Sequence, residues 1–458
     1  MSDNAPAAQH ASVPEVSART IAALALPALG VLAATPLYLL LDTAGVGRLG
    51  AAALAALAAG TTIQSVVTTQ LTFLSYGTTA RASRLFGAGR RTDAIAEGVQ
   101  ATYVAGVVGM VLFTIIELGA PYFTLWLAHD EQVAAEATTW LRVAAVGIPL
   151  ILAVMAGNGW LRGIQNTRLP LYFTLAGVIP SALAVPILVS HLGIVGSAWA
   201  NLLGQSITAL CFLACLYRFH TAAQVGEGTA AHGSAAWQRW RPRPDVMRKQ
   251  LVLGRDLIIR SLAFQIAFLS AAAVAGRFGA AALGAHQVLL QLWNFLVLTL
   301  DSLAIAAQTL TGAALGSGSV ALARRTGARI IGVSTGFGAV LAVLIAAGFR
   351  VLPRLFTDSE EVLATMAKVW PLLIVMLLIG GVVFALDGVL LGASDARFLR
   401  TATLASVLFG FLPGVWLALW LDTGLVGVWL GLVAMLIIRL ATTGVRFWRG
   451  AWASTEQP

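Results

Sequence analysis

The stretch Gly47 to Leu54 reads GRLGAAAL, and 229 positions later Gly276 to Leu283 reads GRFGAAAL. The same shift carries Asn158-Gly159 onto Asp387-Gly388, Gly163 onto Gly392, Arg168 onto Arg397, and the Gly87-x-Gly89 turn onto Gly316-x-Gly318. Matches this far apart, in one register and without a gap, mark an internal duplication. Whatever the first half folds into, the second half folds into again.

The solvent decides what each half can be. Hydrophobic residues fill 58% of the 458 positions and charged residues only 11%, against about a quarter charged in soluble globular chains. Apolar runs of about 20 residues recur, long enough to cross the hydrocarbon core at 1.5 Å per residue. Six centre near residues 32, 64, 107, 148, 182 and 206, and six more near 266, 295, 338, 378, 408 and 433. The first, near Ala22 to Leu41, lacks an A-x-A cleavage site and follows a polar tail, so it reads as a retained helix. The sequence therefore predicts an all-α membrane protein with twelve transmembrane helices in two six-helix lobes. Six is even, so both halves enter from the same side, and the pseudo-twofold axis relating them lies along the membrane normal with a cleft between the lobes. Residues 1–17 read as a disordered cytoplasmic tail, 18–218 as the first lobe, 219–249 as a cytoplasmic linker, 250–448 as the second lobe and 449–458 as a cytoplasmic tail. Within the linker, Trp237 and Trp240 suit the headgroup level of an interfacial segment.

A net charge of +9 could suggest nucleic acid, but the distribution argues for a membrane instead. With the N-terminus inside, Arg81, Arg84, Arg90, Arg91, Arg162, Arg168, Arg324, Arg325, Arg329, Arg397 and Arg400 fall at inner helix ends, as does the basic linker. Only Arg48, Arg142, Arg277, Arg350, Arg354 and Lys368 fall outside. This positive-inside bias places both termini in the cytoplasm and the chain in a plasma membrane, with no nucleic-acid partner. Cys211 and Cys215, four apart on one apolar helix, read as small buried hydrophobes.

Polarity enters the membrane in a few places. The second helix carries Thr61, Ser65, Thr68, Thr72, Ser75 and Thr79 at spacings of 4, 3, 4, 3 and 4, which puts them on one face. The eighth carries Gln287, Gln291, Asn294, Asp301 and Gln308 on a comparable stripe. Hydroxyls on membrane helices also serve as packing contacts worth about 0.6 kcal/mol per hydrogen bond. A carboxylate with four amides on one face is too polar for that and predicts a cavity wall.

Carboxylates away from helix ends are rarer still. Asp42 sits in the outer half of the first helix, after Pro27 and Pro36. A charge at the bilayer centre costs about 2.5–3.5 kcal/mol or more, so such residues face cavities and mark ion or substrate routes. A carboxyl withdrawn from water favours its protonated form, which makes Asp42 a candidate for loading and releasing a proton. Pro36 removes a helical hydrogen bond just below it, so Pro27 and Pro36 are candidate hinges. Asp301 lies at about the depth of Arg260 on the seventh helix, and reads either as a coupling group or as a structural ion-pair partner of that arginine. Glu117, Asp256 and Asp387 lie near helix ends, where hydrated or capping roles are expected. His286 reads as hydrogen-bonded rather than metal-binding. No P-loop, nucleophile elbow or metal-spaced His/Cys set occurs, which argues against an enzyme.

At these residues the chain resembles the multidrug and toxic compound extrusion (MATE) transporters, most closely their DinF-type branch, over essentially its full length. Pro27…Pro36-x-Tyr38-x-x-x-Asp42…Gly47-x-x-Gly50 is similar to the family's first-helix signature. So are Leu161-Arg162-Gly163-x-x-Asn166-Thr167-Arg168 and Gly193-x-x-Gly196-x-Ala198. In the second lobe, Ala285-His286-Gln287 and Leu300-Asp301-Ser302-Leu303-Ala304-x-Ala306-x-Gln308 are similar to the DinF pattern. The resemblance implies two six-helix lobes that export organic cations by taking up H⁺ or Na⁺, with no other cofactor. It maps the family's first-helix carboxylate onto Asp42, the nearby tyrosine onto Tyr38, and a sixth-helix cavity position onto Asn201. The fifth helix departs from the family, reading Val178-Ile179-Pro180-Ser181-Ala182-Leu183-Ala184 where many relatives carry Asn and Asp. One carboxylate instead of two suits H⁺ better than Na⁺. The expected coupling groups are thus Asp42 and Asp301. The expected cavity residues are Tyr38, Thr72, Asn201, Gln287, Gln291, Asn294 and Gln308. The expected activity is proton-driven export of amphipathic cations by a monomer in lipid. Sodium coupling, or export of an organic anion or lipid-linked intermediate, stands as the alternative; the latter would need a basic interior, and beyond Arg260 the interior reads as nearly free of arginine.

Overall fold

The computed structural model describes residues 16–226 and 241–453. Most of the predicted N-terminal tail, Trp237 and Trp240 of the linker, and the last five residues lie outside them. The described residues are helical almost throughout, in twelve membrane-length spans: α1 Ala18–Gly47, α2 Ala51–Gly87, α3 Arg91–Ala128, α4 Glu131–Val146 with Ile148–Gly163, α5 Arg168–Leu192 and α6 Ile194–Ala222, then α7 Pro244–Arg277, α8 Ala280–Gly316, α9 Val320–Arg350, α10 Glu360–Gly392, α11 Ala396–Trp420 and α12 Gly424–Arg449. Two spans are irregular, and neither is the one that carries the expected hinges. The halves of α4 meet at 43° around Gly147, just before Pro149. In α11 a π-helical turn over Val407–Phe411 precedes Pro413, whose ring removes one helical hydrogen bond. By contrast α1 runs unbroken through Pro27 and Pro36.

Twelve spans bring both described chain ends to one face, here termed the inner face. Each lobe is glued by close backbone approach at glycine, and the duplication shows in the contacts themselves. Gly159 of α4 packs on the backbone of Ser75 in α2, and Gly388 of α10 on that of Ala304 in α8; each pair maps onto the other by the 229 shift. A side chain at either glycine would collide with backbone that cannot step aside.

The lobes meet where α2 and α8 cross near the inner face. Gly87 lies against the carbonyl of Ala313, and Gly316 lies against the carbonyl of Arg84. These two contacts are exchanged by the same shift, while Ser83 and Gly312, which map onto each other, touch at the crossing. Residue i meeting j′ while i′ meets j is the signature of a twofold, so the axis passes through this crossing. Further bonds join the lobes: Arg84 Nη2 donates to Ala393 O (2.7 Å) and Gln308 Nε2 to Tyr76 O (2.6 Å) in the inner half, and Gln70 Nε2 donates to Gln265 Oε1 (2.7 Å) near the middle of the spans. Away from the inner face the same stripe of α8 continues as Asn294, Gln291 and Gln287, all exposed. One helical face is thus buried against the other lobe at its inner end and open at its outer end. The lobes form a V, closed inward.

Candidate transport site

In the N-terminal lobe, Asp42 is buried at 1% exposure. Ser197 of α6 donates its hydroxyl to Asp42 Oδ2 at 2.8 Å, and Trp140 of α4 donates its indole N–H to Ser197 Oγ at 3.2 Å. The other carboxylate oxygen, Oδ1, has no protein partner. One turn below on the same face of α1, Tyr38 lines a cavity of about 100 Å³ together with Asn158, Thr174, Ser181, Asn201 and Thr208. At about 30 Å³ per molecule in the liquid, that is room for a few waters. Asn201 stands one turn beyond Ser197, so two successive turns of α6 serve the carboxylate and the cavity. Hydroxyls, amides and a phenol make up its polar wall. The fifth helix contributes Thr174, Val178 and Ser181 to it.

The C-terminal lobe treats the equivalent place differently. The 229 shift carries Val31, Thr35 and Asn158 of the cavity wall onto Arg260, Phe264 and Asp387. Aligning Gly193-x-x-Gly196 with Gly424-x-x-Gly427 carries Thr208 onto Arg439. These four residues make one charge clasp. Arg260 Nη2 donates to Asp387 Oδ2 at 2.6 Å, Arg439 donates to the same oxygen, and both guanidiniums lie over the Phe264 ring, at 5.6 and 4.6 Å from its centre. Where one lobe keeps a small polar cavity, the other fills the corresponding position with a buried ion cluster.

This arrangement corrects several expectations. Arg260 pairs with Asp387 and not with Asp301. Asp387, five residues from the end of α10 and 4% exposed, neither caps nor sits in water, because two arginines from α7 and α12 close on it. Asp256 is likewise buried and held by Arg400 at 2.7 Å and Arg255 at 3.1 Å. Asp301 instead accepts from Tyr76 of the opposite lobe, OH to Oδ2 at 2.9 Å. Nor is the interior poor in arginine: Arg162 and Arg439 are both buried, with Arg162 Nη1 on Ser75 Oγ at 3.3 Å.

The stripe on α2 also differs from expectation. Thr61, Thr68 and Thr72 donate to carbonyls of their own helix. Ser75 meets Arg162, and Thr79 donates to Gly159 O of α4 at 3.0 Å. The inner half of this face packs within the lobe, and Thr72 is not in the cavity wall. Gln308, expected in the cavity, is 1% exposed and is spent on the seal between the lobes. Gln287, Gln291 and Asn294 sit exposed on the open half of α8. His286 accepts from Trp429 Nε1 at 3.2 Å, as expected, and Glu117 makes an exposed pair with Arg142 at 3.5 Å. Sequence reading overlooked Ser197, Tyr76, Arg439 and the role of Arg162. Arg439, the one ionisable residue in the middle of α12, carried a signal, since a lone intramembrane charge implies a partner. Ser197 and Tyr76 carried none beyond their polarity.

Two duplicated lobes sealed at one face and parted at the other, with ionisable groups in the interior, define a multi-pass membrane transporter rather than an enzyme. The chain belongs to the MatE family, the multidrug and toxic compound extrusion transporters: the family model matches residues 27–188 and again 257–416, once in each lobe. Among curated proteins it is similar to Protein DETOXIFICATION 44, chloroplastic, of Arabidopsis thaliana, with 28% identity over 100% of this chain and 89% of that protein. It is 27% identical to DNA damage-inducible protein F of Escherichia coli K12, over 94% and 92% of the two chains. Among solved structures, a multidrug resistance MATE family transporter of the MOP superfamily, in an outward-facing conformation, superposes with a TM-score of 0.80 at 21% identity, over 94% of both chains. That likeness concerns the fold.

Proposed function

We propose that the chain is a proton-driven exporter of amphipathic, cationic small molecules. It acts as a monomer in the plasma membrane, with its inner face in the cytoplasm. The observation that carries this reading is Asp42: a buried carboxylate with one oxygen bonded by Ser197 and the other unpartnered, directly above a polar cavity. The donor set favours H⁺ over Na⁺, because among the described residues the cavity wall supplies only neutral oxygens and no second carboxylate.

In the outward-open form, a proton taken up by Asp42 removes the charge that Ser197 stabilises and changes what α1 packs against, releasing substrate outward. The lobes then rock about the α2–α8 crossing, and Asp42 returns the proton to the cytoplasm. One proton for one monovalent cation is electroneutral, so about 1.36 kcal/mol per pH unit drives it, a tenfold gradient. For a substrate without net charge the membrane potential adds about 2.3 kcal/mol per 100 mV, a further factor of about fifty. The test is Asp42→Asn in everted membrane vesicles. Substrate-dependent proton flux disappears on this reading; flux equal to wild type, or export driven by a sodium gradient alone, overturns it.

A second reading rests on the interior arginines. Arg162 and Arg439 are buried, and Arg439 and Arg260 converge on the single carboxylate Asp387, two cations on one acid. An excess of that sign suits an organic anion or a lipid-linked intermediate. Uptake of a panel of anionic and cationic dyes, with and without a pH gradient, separates the two readings.

A further inference from the structure

We propose that a second cavity, at the inner face between the lobes, binds the phosphate group of an anionic phospholipid. The cavity measures about 470 Å³ and is walled by Arg81 of α2, the first turns of α7, and the turn that joins α10 to α11. It therefore touches both lobes, on the side where they are closed.

The charges around it are unequal in a specific way. Each acid in the wall is already engaged by a cation. Asp256 is held by Arg400 and Arg255, Asp395 by Arg446 at 2.8 Å, and Asp245 lies 3.8 Å from Arg243. Arg81 is engaged by Glu97 at 2.5 Å. Arg248 and Arg397 form no ion pair among the described residues, although both line the cavity. Beside them Ser394 sits in a left-handed backbone conformation, φ 60°, with its hydroxyl buried and without a protein partner. Two unpaired guanidiniums and an orphaned hydroxyl donor form a fitting set for the oxygens of a phosphate, where charge-assisted bonds from arginine are the strong ones.

The rest of the wall says which phosphate. Val252, Leu253 and Ala396 give an apolar side, and the site lies at the headgroup level where α7 enters the membrane. A basic pocket between membrane helices at the positively biased face suits an anionic lipid head with its acyl chains alongside. A soluble phosphate would have no use for the apolar side. Arg248, Ser394 and Arg397 come from one lobe. Arg81 of the other lobe, itself held by Glu97, closes the far wall of the cavity, so the cavity is complete only while the lobes meet. Bound lipid then favours the inward-closed arrangement, by binding one state and not the other.

The experiment uses the full-length protein in a neutral detergent. Its thermal unfolding midpoint is followed while phosphatidylglycerol, phosphatidylcholine or inorganic phosphate is added. Phosphatidylglycerol raises the midpoint, and Arg248→Gln/Arg397→Gln needs about tenfold or more lipid for the same rise, one factor of ten being about 1.4 kcal/mol. Ser394→Ala shifts the titration in the same direction by a smaller factor. A control pair, Arg325→Gln/Arg329→Gln at the inner end of α9, titrates like wild type. Equal loss in the control, no loss in the Arg248/Arg397 variant, or the same rise with phosphatidylcholine overturns the site. The same rise with inorganic phosphate at matched concentration overturns the lipid.

Discussion

Replacing Asp387 by asparagine puts the charge clasp to a quantitative test. The side chain keeps its shape and loses its charge. Arg260 and Arg439, whose side chains are 16% and 4% exposed, are then left facing each other across Phe264 with no anion between them. Removing one partner from a buried ion cluster costs about 3–5 kcal/mol, because the remaining charges stay out of water without compensation. For a cooperative unit of about two hundred residues, each kcal/mol moves the unfolding midpoint by about 2–4 °C, so the expected drop is about 6–20 °C. The assay is thermal unfolding of the purified protein in one detergent, followed by intrinsic fluorescence. A companion variant makes the reasoning specific. Asp387→Asn/Arg439→Met also removes one stranded guanidinium and recovers part of the loss, with a coupling energy of about 1–3 kcal/mol between the two sites. A single variant within a degree of wild type, or a double variant that merely sums two losses, would refute the account of the clasp as a buried, mutually dependent unit.

Tyr76→Phe deletes the only side-chain hydrogen bond to Asp301 among those described. A bond to a charged acceptor is worth about 1.5–3 kcal/mol, so the inward-closed population falls by about ten- to a hundredfold relative to the open one; fluorescence energy transfer between dyes on the two lobes reads this ratio. Gly87→Ala drives a methyl into the Ala313 carbonyl, which costs about 1–3 kcal/mol in the sealed state and speeds maleimide labelling of a Ser83→Cys reporter. Trp140→Phe keeps the packing but removes the donor to Ser197. It should slow export without changing the amount of folded protein, measured by dye efflux alongside size-exclusion profiles.

Much of the fold is legible in the sequence, because a duplication and a bilayer leave few choices. The 229 shift is visible in glycines, and glycines are where the lobes and helices touch, so the repeats that betray the symmetry are also its contacts. The bend in the membrane is not legible, since the expected hinge helix α1 runs unbroken through Pro27 and Pro36 while α4 bends around Gly147. The site was harder to read for a physical reason. Period alone places Ser75 and Thr79 on one face of α2 but does not say whether that face meets the cleft or α4, since a hydroxyl satisfied by a backbone carbonyl is equally at ease in both. Pairing was the other blind spot. Arg260 stands near the depth of both Asp301 and Asp387, and only the positions of α10 and α12 decide which it joins. Asp42, alone in its helix, needed no such choice.

The crossing of α2 and α8 has the form of a homodimer interface folded into one chain, since each half offers the other the carbonyl that it receives. Two such contacts placed on either side of an axis open together: tilting one half about that line lifts both glycines from their carbonyls at once. Leakage past a half-opened barrier is therefore avoided by geometry rather than by timing, and a lesion on either copy should loosen the whole closure.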